Sequence, residues 1–274
     1  MTKAFKSTVA SIVLLGLVVL PMDAPQALAQ STNSVQFSTI VKRAKAGNAE
    51  AQLSLGKAYE EGKGVKRDLL AAANWYKLAL RQGDVESTYR LARLVHKGGG
   101  KLAQSPELAA QLYRRAAQQG HSGAQNWLGF CYQFGFGLTL DYARAVNWYR
   151  KSAEQGFPAA QNNLGMLYLS GKGVSQDLLK AAQLFRAAVK QRYAWAENNL
   201  GGLYEMGWGV RRSPKRAKDL YRSAAAGGNA QAKKNLKRLA DAQAAADAKA
   251  AAAAAAAAEA AKANEPKKVK ITID

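Results

Sequence analysis

The chain has 274 residues, 48% of them apolar but only 8% aromatic, and much of the apolar share is alanine, which favours helix over sheet. Lys and Arg number 40 against 19 Asp and Glu, a formal charge of +21 that speaks about partners and solubility rather than fold. Cys131 is the single cysteine, and His96 and His121 are the only histidines. An intramolecular disulfide framework, a CxxC redox or zinc site and the usual histidine-based metal sites are thereby excluded.

The first predicted element is an export segment. Lys3 and Lys6 give a basic start, and Val9 to Leu20 is a run of 12 residues broken only by Ser11 and Gly16. Ala27 and Ala29 hold the small-residue positions expected before a cleavage point ahead of Gln30. The run falls well short of the roughly 20 residues needed to cross a bilayer. Residues 1–29 are therefore expected to be a cleaved signal peptide, and the mature chain to be periplasmic or secreted. No cysteine would lead the mature chain, which argues against a lipoprotein. Later apolar stretches are broken by charges, so no transmembrane segment is expected after cleavage.

Five copies of one unit follow, beginning at Gly47, Gly83, Gly120, Gly156 and Arg192, with a period of 36 and one extra residue in the second. The first reads GNAEAQLSLGKAYEEGKGVKRDLLAAANWYKLALRQ and the fourth GFPAAQNNLGMLYLSGKGVSQDLLKAAQLFRAAVKQ. The units span 47–82, 83–119, 120–155, 156–191 and 192–227. Residues 30–46 fit a preceding half-unit and 228–239 a following one. Each unit predicts two helices. The ninth position is always leucine (Leu55, Leu91, Leu128, Leu164, Leu200, and Leu236 in the partial unit). Tyr59, Tyr132, Tyr168 and Tyr204 stand four residues later, on the same helical face, with Val95 in the second unit. In the second helix Ala72, Ala109, Ala145, Ala181 and Ala217 each precede by four residues an aromatic: Tyr76, Tyr113, Tyr149, Phe185 or Tyr221. Paired glycines such as Gly62 and Gly64 separate the two helices, one suited to a left-handed helix end and the other to chain reversal. Gly56, Gly129, Gly165 and Gly201 lie inside the first helix, where each costs about 1 kcal/mol relative to alanine. Their recurrence predicts a tight helix–helix crossing.

The pattern A-x-x-x-LG-x-x-Y, then G-x-G-V, then A-x-x-W-Y-x-x-A, resembles the Sel-one-like repeat family, relatives of tetratricopeptide repeats with longer units and a glycine-bearing loop. The similarity runs from about Phe37 to Leu239 and is of the exported bacterial type. It implies an all-α solenoid, a right-handed superhelix of antiparallel helix pairs whose first helices line a concave surface that binds peptides or partner proteins. The second unit departs most, with Ala92 and Val95 in place of glycine and tyrosine, so local irregularity is expected there. From Ala240 to Ala263, 18 of 24 residues are alanine, which predicts a solvated helical spacer within the 240–274 tail. The PKKVKITID end is read as an unstructured tail, with strand addition to a partner's sheet as the alternative.

Catalytic patterns are present only as near-misses. Gly165 to Lys172 resembles a phosphate loop with one residue too many and Gly173 where Ser or Thr should hold magnesium, and Gly56 to Lys63 repeats it. Ser54 and Lys57 have the S-x-x-K spacing of penicillin-recognising enzymes, but no K-T-G segment accompanies them. Cysteine-rich members of the family have been linked to penicillin binding or β-lactamase activity, so a hydrolase acting on the cell wall or on β-lactams is the alternative reading. Cys131 reads as a small buried hydrophobe, and His96 and His121 as surface or capping residues. No catalytic residue, metal or cofactor is expected.

Two features point to partners. Asparagine recurs at the seventh and eighth positions: Asn126, Asn162 and Asn198, then Asn163, Asn199 and, in the partial unit, Asn235. These amides either hold the backbone of an extended peptide or bond one another between units. Trp127, Phe130 and Met166 would make the same groove adhesive, with Phe134 and Met206 beside them. The second feature is a basic end: Arg211, Arg212, Lys215, Arg216, Lys218, Arg222, Lys233, Lys234, Lys237 and Arg238 fall within 28 residues, opposed only by Asp219. It predicts contact with an acidic polysaccharide, lipid headgroups or an acidic protein surface, nucleic acid not being expected outside the cell. The reading as a whole is an exported, non-enzymatic interaction scaffold of the cell envelope.

Overall fold

The computed structural model describes residues 37–263. The predicted export segment and the PKKVKITID end lie outside the described residues. Among the described residues there are twelve helices, one isolated bridge between Gly99 and Leu102, and no strand. Helix α1 covers residues 37–45. Five pairs follow: α2 (Ala49–Glu61) with α3 (Leu69–Arg81), α4 (Val85–Lys97) with α5 (Pro106–Gln118), α6 (Ser122–Phe134) with α7 (Tyr142–Glu154), α8 (Pro158–Ser170) with α9 (Leu178–Val189), and α10 (Ala194–Met206) with α11 (Pro214–Ala226). Helix α12 (Ala230–Ala263) opens as a sixth first helix and runs on through the alanine-rich stretch. No described helix is long and apolar enough to cross a membrane.

Local chemistry sets the ends. Each second helix begins at a side chain that accepts a backbone N–H from its first turn: Asp68, Ser105, Asp141, Asp177 and Ser213. First helices α2, α6, α8 and α10 end at glycines with φ between 68° and 77°, a region where a β-carbon is strained. A β-carbon on the next loop glycine would collide with the preceding unit: Gly137 with the Pro106 backbone, Gly209 with that of Leu178. The loops are therefore seated on the unit before. The irregularity expected of the second unit is confined to its loop. Gly98 ends α4 with a positive φ but outside the left-handed helical region (φ 64°, ψ −170°), and the chain turns through the Gly99–Leu102 bridge while Ala92 and Val95 stay buried.

From Ala72 to Ala232 the core is one seam of the recurrent leucines, alanines and aromatics, and Ala44, Ala51 and Leu55 form a smaller cluster at the N-terminal end. Tyr76, Tyr113, Tyr149 and Phe185 are wholly buried, and Tyr221 nearly so. The helix-internal glycines make room for these rings where the two helices of a unit cross. A β-carbon at Gly129, Gly165 or Gly201 would lie 2.7, 2.7 or 2.8 Å from a ring carbon of Tyr149, Phe185 or Tyr221. Burying such a ring is worth about 2–3 kcal/mol, more than the helix propensity the glycine gives up. From α2 to α12, the principal helix–helix contacts all join neighbours in the chain, as in a solenoid.

Candidate functional site

The first helices present one continuous face. At its floor, the buried tyrosine of each second helix reaches a polar residue at the fourteenth position of its own unit. Tyr76 donates to Glu60 (2.5 Å), Tyr149 to Gln133 (2.7 Å) and Tyr221 to Glu205 (2.9 Å). In the fourth unit hydroxyl and partner vanish together, with Phe185 facing a unit that carries Leu169. That leaves an apolar spot. A recess of about 240 Å³ opens there between α8, α10 and α12, lined by Met166, Leu169, Met206 and Trp208 with the amides of Asn198, Asn199 and Asn235 beside them.

The asparagines bond one another across units. Asn163 Nδ2 donates to Asn126 Oδ1 (3.0 Å), Asn199 to Asn162 (2.8 Å) and Asn235 to Asn198 (3.0 Å). Within units Asn162 donates to Asn163 (3.3 Å) and Asn198 to Asn199 (3.4 Å), so donation runs in one direction along the stack. Of the two sequence readings, the inter-unit bond is the one the geometry displays. Each amide in the run still has a second N–H and a second carbonyl lone pair. Trp127 replaces asparagine at the eighth position of the third unit and stacks on Tyr113 with ring centres 5.8 Å apart.

Trp127 leads an aromatic cluster that sequence reasoning saw only in part. Phe130 meets Trp127 edge-on at 5.2 Å and Phe134 at 4.6 Å. His96 lies among them, stacked on Phe136 at 4.2 Å and edge-on to Trp127 at 4.8 Å. The reading of His96 as a surface or capping residue is thus corrected, and burial lowers its pKa. Phe136 was missed because its loop position is lysine in the first and fourth units. His121 does cap, its Nδ1 accepting the Ala124 N–H at 3.1 Å, while Nε2 meets Glu86 at 3.1 Å. His121 and then Arg90 hold the Glu86 carboxyl down to about 2.

The basic end is less bare than its sequence. Arg238 pairs with Glu205 at 2.7 Å and Arg222 with Asp219 at 3.4 Å. Arg212 donates to the Glu205 carbonyl at 3.0 Å, and Arg216 to the Tyr204 hydroxyl at 3.3 Å. Glu205, in the preceding first helix and outside the 28-residue stretch, thus offsets part of the patch alongside Asp219. Arg211, Lys215, Lys218, Lys233, Lys234 and Lys237 are exposed and form no ion pair among the described residues.

The catalytic near-misses resolve structurally. Gly56 and Gly165 sit inside α2 and α8 against aromatic rings, so neither begins a phosphate-cradling loop. Cys131 is wholly buried and its thiol is pushed up to about 12 by that burial. Ser54 and Lys57 share a recess at the N-terminal end with Phe37, Glu61 and Arg90, and among the described residues no hydrogen bond joins Ser54 to the base that an activated serine requires. No described group of three His, Cys, Asp or Glu residues could hold a metal ion.

Five successive segments, residues 49–84, 85–121, 122–157, 158–193 and 196–229, match the Sel1 repeat. Among solved structures, the chain is 31% identical to a protective antigen of uropathogenic Escherichia coli strains that displays an SLR fold. That match has a TM-score of 0.65 and covers 72% of this chain but 42% of the antigen. A Sel1 repeat protein from Oxalobacter formigenes is 28% identical, with a TM-score of 0.67 over 76% of this chain and 86% of its own. No curated protein matches significantly. Sel1 repeat proteins generally mediate protein–protein interaction and are typically non-enzymatic scaffolds. With five matched repeats and a stack of helix pairs built on one recurring core, this chain belongs to the Sel1 repeat family.

Proposed function

We propose that the chain is an exported, non-enzymatic scaffold of the cell envelope that binds an extended segment of a partner protein along the face of its first helices, the concave face in this architecture. The observation that carries this is a set of apolar side chains left out of the core on that face: Phe134 (60% exposed), Met166 (38%), Met206 (59%) and Trp208 (50%). Such residues ordinarily occur singly, and a row of them marks an interaction surface. The amide run beside them offers spare donors and acceptors to a partner's backbone. The protective-antigen character of the Escherichia coli relative supports a location outside the cytoplasm, as does the segment 1–29. Exchanging Trp208→Ala and Met206→Glu together should weaken capture of the partner from envelope extracts about tenfold at unchanged Tm. Leu179→Glu, 66% exposed on α9, should leave capture intact. Equal loss from both variants would defeat the proposal, and the mass of the exported protein should correspond to a chain beginning at Gln30.

The exposed, unpaired Arg211, Lys215, Lys218, Lys233, Lys234 and Lys237 favour a second contact, with a polyanion such as an acidic polysaccharide or lipid headgroups. It should fade as salt passes roughly 0.1–0.15 M, where the Debye length is about 8–10 Å.

A further inference from the structure

Tyr204, on α10, receives two guanidinium groups from the helices on either side. Arg186, in the last turn of α9, donates from Nη2 to the phenol oxygen at 3.4 Å. Arg216, in the first turn of α11, donates from Nη1 at 3.3 Å, its guanidinium carbon 5.4 Å from the ring centre. Both arginines are exposed, while Tyr204 is 8% exposed and forms the floor between them. A phenol oxygen that accepts twice still has its own O–H to donate.

The same arrangement occurs in the two preceding units with a different charge. Arg114 donates to Tyr132 at 3.4 Å and Arg144 lies 5.6 Å from that ring, but Asp141 pairs with Arg144 at 3.2 Å. Around Tyr168, Lys180 sits 4.9 Å from the ring, and Asp177 caps its helix at the Lys180 N–H. In the fifth unit that capping position is Ser213. The cap survives as a hydrogen bond from the Arg216 N–H to Ser213 Oγ at 3.4 Å, and the carboxylate is gone. Among the described residues neither Arg186 nor Arg216 has an acidic partner. Two cations are held on one neutral oxygen with no described carboxylate paired to either to offset their repulsion. Hydrogen bonds from Arg186, and then from Arg216, hold the Tyr204 phenol below its ordinary range.

Planar guanidinium forks with free N–H groups, converging with a phenol O–H, match the donor needs of a tetrahedral oxyanion. We propose that Arg186, Tyr204 and Arg216 form a site for a phosphate-type dianion at the junction of the fourth and fifth units. The site is independent of the partner groove. It shares Arg216 with the basic end but depends on converging donors rather than on the number of nearby charges.

The test titrates the full chain with inorganic phosphate at constant ionic strength, by calorimetry. Ser213→Asp restores the carboxylate of the sister positions and keeps the helix cap, so the fold is safe. It should weaken phosphate binding at least about tenfold with Tm unchanged or raised, and Arg186→Gln should do the same. Lys233→Gln with Lys237→Gln, which removes charge from α12 alone, should leave binding as it was. Glycerol 3-phosphate titrated in parallel distinguishes the source: binding of both ligands assigns the phosphate group of a larger molecule, and binding of phosphate alone a free anion. Absence of phosphate binding by the unaltered chain, or full binding by Ser213→Asp, would overturn the site. So would an equal loss from the α12 exchanges, which would leave only diffuse attraction.

Discussion

Arg192 is the one described non-glycine residue with a positive φ, 56°, at the position where the other four units and the partial unit place glycine. Left-handed backbone strains a residue that has a β-carbon, and nothing in the repeat requires arginine there. Arg192→Gly is expected to raise stability by about 0.5–1 kcal/mol, read from the urea midpoint, the relieved strain outweighing glycine's greater freedom when unfolded. The Phe185–Leu169 pair makes a sharper case. Phe185→Tyr alone sets a hydroxyl against a leucine and should lose about 1–3 kcal/mol. Adding Leu169→Gln supplies the acceptor that Gln133 gives Tyr149, and most of the loss should return. Both residues were visible in the sequence. Their relation was not, because it depends on which side of the first helix faces the ring, and that is fixed only when the two helices pack.

At the scale of elements, the helices were legible because a 36-residue period repeats every signal five times. The leucine at position nine and the alanine four before an aromatic landed in the roles their spacing gave them, as did the helix-ending glycines of every unit but the second, where Gly98 departs from the left-handed end. The asparagines were legible as a set but not in their pairing. The eighth-position amide of one unit meets the seventh-position amide of the unit before, 37 residues away, an offset set by the stacking angle. A second amide system was missed altogether. Gln125 donates to the Ala117 carbonyl at 3.2 Å and accepts from Gln155 at 2.7 Å, and Gln161 repeats the pattern with Ala153 and Gln191. The recurrent glutamine at position six was the signal for it. Asn162→Ala and Asn199→Ala should each destabilise the chain, and together by less than their sum. The double-mutant cycle is expected to give a coupling of about 1 kcal/mol, because the second exchange removes a bond already broken.

At the scale of the molecule, the solenoid distributes its candidate binding features by face and by end. The aromatic cluster around Trp127, the apolar recess beside Met206 and the amide run lie on first helices and the loops that follow them, while the guanidinium convergence on Tyr204 lies where three helices meet at a unit junction. Because neighbours in the chain make the principal contacts, each unit can change its surface without disturbing the rest. That is how Phe185, Trp127 and Ser213 each depart from the repeat at no evident cost to the core. It is also why the sequence pattern, which reports what recurs, said least about the site. Everything proposed for the groove depends on partners engaging the first-helix face. A photoreactive amino acid placed in turn at Phe134, Met206 and Leu179 in cells tests it most directly. The expected result is a shared crosslinked partner from positions 134 and 206 and none from 179; a partner captured from position 179 alone would contradict it.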